Sequence, residues 1–432
     1  MPEKPEDSRK ASSNNSRQKG QKMDKRMQEY ARLAVRIGAN VQKDDILMLN
    51  SPVDCAEFAR LITEEAYAAG ARNVIVKWSD DAIARLKYQH AADDVFDVFP
   101  EWETLEYNTL AADQRFARIA IYAEDPEALA GIDPDRIRRA SAARNKGLKE
   151  FYDKLMRSEF SWCLVSVPVL PWARKMFPGM EDEKAMEALW DAIYETMRID
   201  GSGDAVEKWQ QHTQKLRRRC ELLTEIKLKK LHYTSGLGTD YTVELPKNCV
   251  WCGGSEKNRK GVDFIANMPT EEIFTAPHKY GGNGVLAASR PLCLHGNLIT
   301  GIRFTVEKGK IVKAEAEEGL EILEQVLDMD EGSRYFGELA LVEYDSPISN
   351  QNLLYYNTLF DENAACHIAF GAAYPECVEG GCEMTPEEAE AAGLNDSDNH
   401  EDFMIGTADL EITGVTEDGR EVQIFKDGNF AL

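Results

Sequence analysis

The stretch "ENAACHIAFGAAYPE", residues 362–376, sets Glu362, His367 and Tyr374 among small apolar residues. A carboxylate and an imidazole in such a run need partners, because burying them unpaired is unfavourable. Other segments of the C-terminal half offer candidates. "DNHEDFMIG" (398–406) carries His400 and Asp402 two residues apart. On a strand, positions i and i+2 share a face, so the two groups would converge on one point. That geometry suits a divalent metal with nitrogen and oxygen ligands, although an H-x-D pair on a surface strand is common without one. "YFGELALVEYD" (335–345) places Glu338 in a strand-like apolar run, where a carboxylate has to be paired or metal-bound. "MPTEEIFTAP" (268–277) holds Glu271 and Glu272 between prolines, and a cap or turn explains them equally well. Glu362 and His367, five apart, do not share a helical face, so they would meet one site from opposite sides or from a strand–loop edge.

The combination says more than its parts. One glutamate of the 271–272 pair joins Glu338, Glu362, His367, His400 and Asp402 to make four carboxylates and two imidazoles. The charge of four carboxylates balances that of two divalent cations. Such a set with open coordination positions suits a two-metal hydrolase.

Competing motifs carry less. "TSGLGTD" and "KYGGNGV" are loop-like, and neither lies between a strand and a helix as phosphate-binding glycines do; no GxxxxGK[ST] occurs. That argues against a nucleotide-binding α/β module. There is no GxSxG elbow. Cys366 adjoins His367, and adjacent side chains point apart in regular structure, which argues against a Cys–His nucleophile. "CVWC" puts Cys249 and Cys252 at CxxC spacing. With Cys377 and Cys382 far along the chain, packed thiols are the simpler reading than a metal or redox site.

The elements that must position these groups fall into two kinds. From residue 24 to 230, helical patterns alternate with short apolar runs: "DDILMLN", "NVIVKWSD", "RFARIAIY" and "FSWCLVSV" read as strands. "CAEFARLITEEAYAAGA" reads as a helix ending at Gly70, so the first half is expected to be α/β with an open, mostly parallel sheet. Beyond residue 230 the strands are short and alternating, and "VEKGKIV" and "TEDGREV" are hairpin signals. One helix, "GLEILEQVLDM", interrupts them, giving an α+β domain. The expected division is a disordered tail over 1–22, an α/β domain over 23–230 and an α+β domain over 231–432 that carries the site.

Composition narrows the partners. The 432 residues hold 51 Lys and Arg against 75 Asp and Glu, a net charge of -24. This disfavours nucleic acid, whose binding needs Lys and Arg on phosphates, and favours cationic ligands. The basic runs "KLRRRC" (215–220) and "KLKK" (227–230) sit in a helical-looking segment and read as solvated helix surface. No window approaches the ~20 apolar residues of a membrane span, and the polar N-terminus lacks a signal-peptide core. Nine scattered cysteines fit free thiols in a reducing cytoplasm.

At these residues the chain resembles the M29 family of metallo-aminopeptidases, the aminopeptidase T and aminopeptidase S type. The matching segments are "EEAYAAGARNVIVKWSDD", "LHYTSGLGTDYTVELP", "NMPTEEIFTAP", "GELALV", "ENAACHIAFGAAY" and "NHEDFMIG". The resemblance implies an α/β domain followed by a metallopeptidase domain, in a homodimer enclosing its active sites. It implies two divalent ions (Zn, Co or Mn) held by Glu272, Glu338, Glu362, His367, His400 and Asp402, with Glu272 chosen over Glu271 by its spacing to Glu338. It further implies catalytic roles for Glu338, as bridging ligand or base, and for Tyr374, as donor to the oxyanion. The substrates implied are peptides with a free N-terminus. The acidic segment between Tyr374 and His400 looks slightly longer than in the family. On residues alone, another dinuclear amidase or dipeptidase, or a non-catalytic dimeric metal-binding protein, remains open.

Overall fold

The computed structural model describes residues 25–123, 125, 127–294 and 297–432. The expected tail over 1–22 lies outside the described residues.

Four strands, β1 (Ile46–Pro52), β2 (Asn73–Ser79), β3 (Phe116–Ile121) and β4 (Ser161–Val165), form a sheet in the order β2-β1-β3-β4. All three pairings are parallel. The near-continuous apolar character of β1 and β3 follows, since a parallel sheet is covered on both faces. The β1-to-β2 crossover is the helix Ala56–Ala69, capped by Gly70 at φ +101°, a left-handed turn that glycine adopts without strain. The first half is α/β, as the alternating pattern implies.

The strand Leu228–Thr234 opens an antiparallel region. An eight-stranded sheet runs through both predicted hairpins: Arg303–Glu307 with Lys310–Glu315, and Glu411–Thr416 with Glu421–Lys426. A second sheet has five strands: β5 (Cys252–Gly253), β6 (Ile273–Thr275), β7 (Phe336–Leu341), β8 (His367–Gly371) and β9 (His400–Met404). Its order is β9-β8-β7-β6-β5 and every pairing is antiparallel. One face of β7, β8 and β9 gives Leu339, Leu341, Ile368, Phe370 and Phe403 to a large apolar core. The opposite face carries Glu338, His367, His400 and Asp402.

The helix Ala205–Ile226 ties the halves together. Ala205 and Trp209 belong to the core of the parallel sheet, while Leu216, Cys220 and Leu223 belong to the antiparallel core. The first basic run lies on the helix with Lys215 and Arg218 exposed, as expected, and adds ion pairs; the second run needs correction. Lys215 and Arg219 both pair with Glu343, at 2.8 and 2.5 Å, and Arg217 pairs with Asp263 at 2.8 Å, so "KLRRRC" clamps the helix to the second half. "KLKK" is not helical: Lys227 is a left-handed cap and Leu228 starts a strand. Acidic partners distant in sequence decide the first point, and alternating burial against a sheet decides the second.

Candidate metal centre

The residues that sequence spacing could only group are gathered on one sheet face. In register, Ala369 of β8 lies opposite Glu338 of β7 on one side and Asp402 of β9 on the other; Gly371 lies opposite His400. The small residues of the run leave room between the larger polar ones. The strand β9 puts His400 and Asp402 on the same face, as the H-x-D spacing predicts. Between Phe336 and Glu338 the β7–β8 register shifts at a bulge, a feature that re-aims side chains beside sites. Gly337 permits it, because a Cβ there would overlap the carbonyl oxygen of Ala372. Glu272 immediately precedes β6, and Glu362 begins a single 3-10 turn ahead of β8.

The distances define two groups. His367 Nε2 is 3.1 Å from Glu272 Oε2, and His400 Nε2 is 3.0 Å from Glu338 Oε2. Asp402 Oδ1 lies 3.8 Å from each imidazole Nε2. Donor atoms of Glu272, Glu338 and His367 fall within 4.8 Å of one another, as do those of Glu338, His400 and Asp402. Glu338 belongs to both groups. Glu362 lines the same cleft but belongs to neither triplet; its Oε1 accepts from Asn363 Nδ2 at 3.3 Å.

Both histidines are oriented from behind. His367 Nδ1 donates to Ala365 O at 3.1 Å and His400 Nδ1 to Ala372 O at 2.8 Å. A carbonyl only accepts, so Nδ1 carries the proton and Nε2 faces the acids, the arrangement that metal-bound imidazoles use. Charge in the site is unbalanced. Burial raises the Glu338 carboxyl pKa, opposed by His400 and reinforced by Asp402 and Glu272. Glu362 is held well above the usual carboxylate range by burial and by the charges of Glu272 and Asp402. Burial works against charge on the imidazoles, yet Glu272 and Asp402 carry His367 well above its ordinary value, and Asp402 and Glu338 push His400 up to about 10.

Divalent ions fit this donor set. Asp402 Oδ1 is buried without a hydrogen-bond partner, a cost that a cation would relieve. Among the described residues, the carboxylates of Glu272, Glu338 and Asp402 form ion pairs only with the two histidines. Glu271 points elsewhere: Arg198 binds it through two nitrogens at 2.8 and 2.9 Å, with His212 Nε2 at 3.6 Å. Its backbone N–H donates to Asn363 Oδ1 at 2.8 Å, joining the 271–272 segment to the Glu362 turn. The Arg198–His212 anchor was invisible in sequence because it comes from the other half of the chain.

Tyr374 stands beside this set. Its ring is 4.9 Å from that of His400 and 5.6 Å from Phe274. Burial and the charges of Glu338 and Asp402 hold its phenol well above the usual range, so the O–H stays protonated. A cleft of about 600 Å³ opens over the acids; Ser158 and Trp162 of the first half and Trp251, Phe274 and Tyr374 of the second line it. Cys366 turns away and bonds Val342 through its thiol.

A family model described as "Thermophilic metalloprotease (M29)" matches residues 23–430. The chain belongs to the M29 metalloprotease family. Aminopeptidase AmpS of Bacillus subtilis (strain 168) is 43% identical, over 94% of this chain and 98% of its own. Aminopeptidase 2 of Geobacillus stearothermophilus is 42% identical, over 95% and 98%. The solved structure of wild-type AmpT from Thermus thermophilus has a TM-score of 0.88 at 35% identity, covering 94% of this chain and 99% of that one. The M29 resemblance carried by short motifs thus extends over nearly the whole chain. M29 membership also means binding of divalent metal, for which the two donor groups are the candidates.

Proposed function

We propose that this M29 enzyme releases N-terminal amino acids from peptides at a dinuclear metal centre. The observation that carries the reading is the pair of donor groups sharing Glu338 on the floor of a cleft. The relatives named aminopeptidases support the exopeptidase class. Glu272, Glu338, Glu362, His367, His400 and Asp402 would hold two ions of Zn, Co or Mn. When bound, such ions supply Lewis-acid polarisation of a carbonyl and a water nucleophile active near neutral pH. Glu338, common to both groups, would be either the shared ligand or the base that takes the proton of the attacking water. Tyr374 Oη–H donates to the scissile carbonyl oxygen as negative charge develops there. Carboxylates around the cleft would receive the free ammonium, and this contact sets cleavage after one residue.

The remaining readings have narrower support. A two-domain division near residue 230 fits the change from parallel to antiparallel sheet. A homodimer fits outward-facing apolar pairs on two helices of the first half: Ile83 with Leu86, and Trp102 with Leu105. A reducing cytoplasm fits nine cysteines that are all free thiols. Among the described residues no helix is long and apolar enough to cross a membrane.

Chelation tests the central reading. Stripped protein should fail to hydrolyse aminoacyl-4-nitroanilides and recover with Zn, Co or Mn at about two equivalents per chain. N-acetylated substrates should stay intact. Full activity in metal-free buffer, or equal cleavage of blocked substrates, would overturn it.

A further inference from the structure

Two cysteine pairs that lie far apart in the chain meet at the edge of the site sheet. Cys252 is in β5, directly opposite Phe274 of β6. The segment after Tyr374 runs alongside: Val250 N–H donates to Cys377 O at 2.8 Å, and Cys249 bridges Val378. Cys252 Sγ is 3.6 Å from the carbonyl oxygen of Glu376, the residue before Cys377, and the Cys377 thiol feels the charge of Cys252. Both belong to a small apolar cluster that also contains Phe274 and Tyr374. Cys252 lines the catalytic cleft, whereas Cys377 is 1% exposed. Among the described residues these thiols do not complete a group of three donors at ligating distance.

We propose that Cys252 and Cys377 are a reversible thiol–disulfide pair, closed by hydroperoxides and reopened by thiols, and that closure slows the enzyme by displacing Tyr374. The chemistry divides between an accessible thiol and a buried one. Cys252 Sγ attacks a peroxide oxygen, breaking the O–O bond; a sulfenic acid forms and the other oxygen leaves as an alcohol or water. Cys377 Sγ then attacks the sulfenyl sulfur, its proton leaves with the hydroxyl as water, and the Sγ–Sγ bond forms. Overall, two thiols lose two electrons and two protons to one hydroperoxide. Burial keeps the Cys377 thiol well above the ordinary range, which fits the role of second partner rather than first.

The consequence for Tyr374 follows from covalent geometry. A disulfide holds its sulfurs about 2.05 Å apart, closer than two unbonded sulfurs can approach. Closure therefore draws the 375–378 segment toward β5. Tyr374 lies three residues before Cys377, and the ring it packs on, Phe274, lies opposite Cys252. Both supports of the phenol are coupled to the bond.

The slowing rests on the proposed function; bond formation does not, and the two are read separately. Reduced, metal-loaded enzyme is titrated with hydrogen peroxide and followed by thiol count, peptide mapping and peptidase rate. The expected result is loss of two of nine thiols and a Cys252–Cys377 cross-link. With it kcat should fall by about tenfold or more, in line with the sensitivity of catalysis to ~1 Å displacements, and dithiothreitol should restore it. Cys252→Ser and Cys377→Ala should each resist peroxide relative to their own untreated rate; the first keeps the test open if the second folds poorly. Retention of all nine thiols, or a cross-link from Cys252 to Cys382 instead, would overturn the pairing. A cross-link without loss of rate would overturn the coupling to Tyr374.

Discussion

Glu271 and Glu272 are neighbours in the chain with opposite surroundings. Glu272 faces His367, while Glu271 is held by Arg198 and His212. Glu272→Gln is expected to lower bound metal and activity together, because one charged donor is gone. Glu271→Gln is expected to keep the metal but lower Tm, since it strands a guanidinium that is only 17% exposed. The loss should be about 3 kcal/mol, the lower end for a broken buried pair. Metal analysis and thermal melting on both variants separate these outcomes; a metal-depleted Glu271→Gln with normal Tm would reverse the assignment. Tyr374→Phe removes one hydrogen-bond donor and little else. Its kcat should fall roughly 10²-fold with metal content unchanged, the usual size for an oxyanion donor. An unchanged kcat would remove Tyr374 from the mechanism.

Strands β7, β8 and β9 aim the polar groups because their shared face alternates candidate ligands with small residues, Met404 at the end of β9 excepted. The bulge at Gly337 depends on close approach to Ala372, whose carbonyl holds His400 Nδ1 at 2.8 Å. Gly337→Ala therefore pushes on the acceptor that orients His400. The variant should fold with reduced Tm and bind less metal at the Glu338–His400–Asp402 group. Titration with cobalt, read by its ligand-field absorption, checks this; wild-type stoichiometry and affinity would show that the bulge has no hold on the site.

Over the whole molecule, the cleft is bounded by both halves, and the helix Ala205–Ile226 gives residues to both cores. The Arg198–Glu271 pair adds a second tie close to the acids. Motion between the halves would thus alter the site as well as its mouth. The exposed pairs Ile83–Leu86 and Trp102–Leu105 leave apolar area that a second copy could cover. Introducing charge with Leu86→Glu and Leu105→Glu should shift the proposed homodimer to monomer by analytical ultracentrifugation. A dimer that persists with unchanged affinity would place the interface elsewhere.

Local pattern was enough for much of this protein. Apolar runs between helical stretches marked β1 to β4, and the two hairpin signals marked their strands, because burial alternates with a period set by the backbone itself. The H-x-D spacing placed His400 and Asp402 on one face for the same reason. The family was legible because its motifs occur in order along one dimension. Contacts between distant segments were not. Nothing near "KLRRRC" announces Glu343 and Asp263 as partners, and nothing near "PTEE" announces Arg198. Cys252 and Cys377, 125 positions apart in the numbering, looked unrelated until two chain segments ran side by side. Sequence by itself determined which groups could do chemistry and which strands would carry them. Tertiary structure alone decided which of them meet, because charge balance, burial and hydrogen-bond reach are set by neighbours in space rather than along the chain.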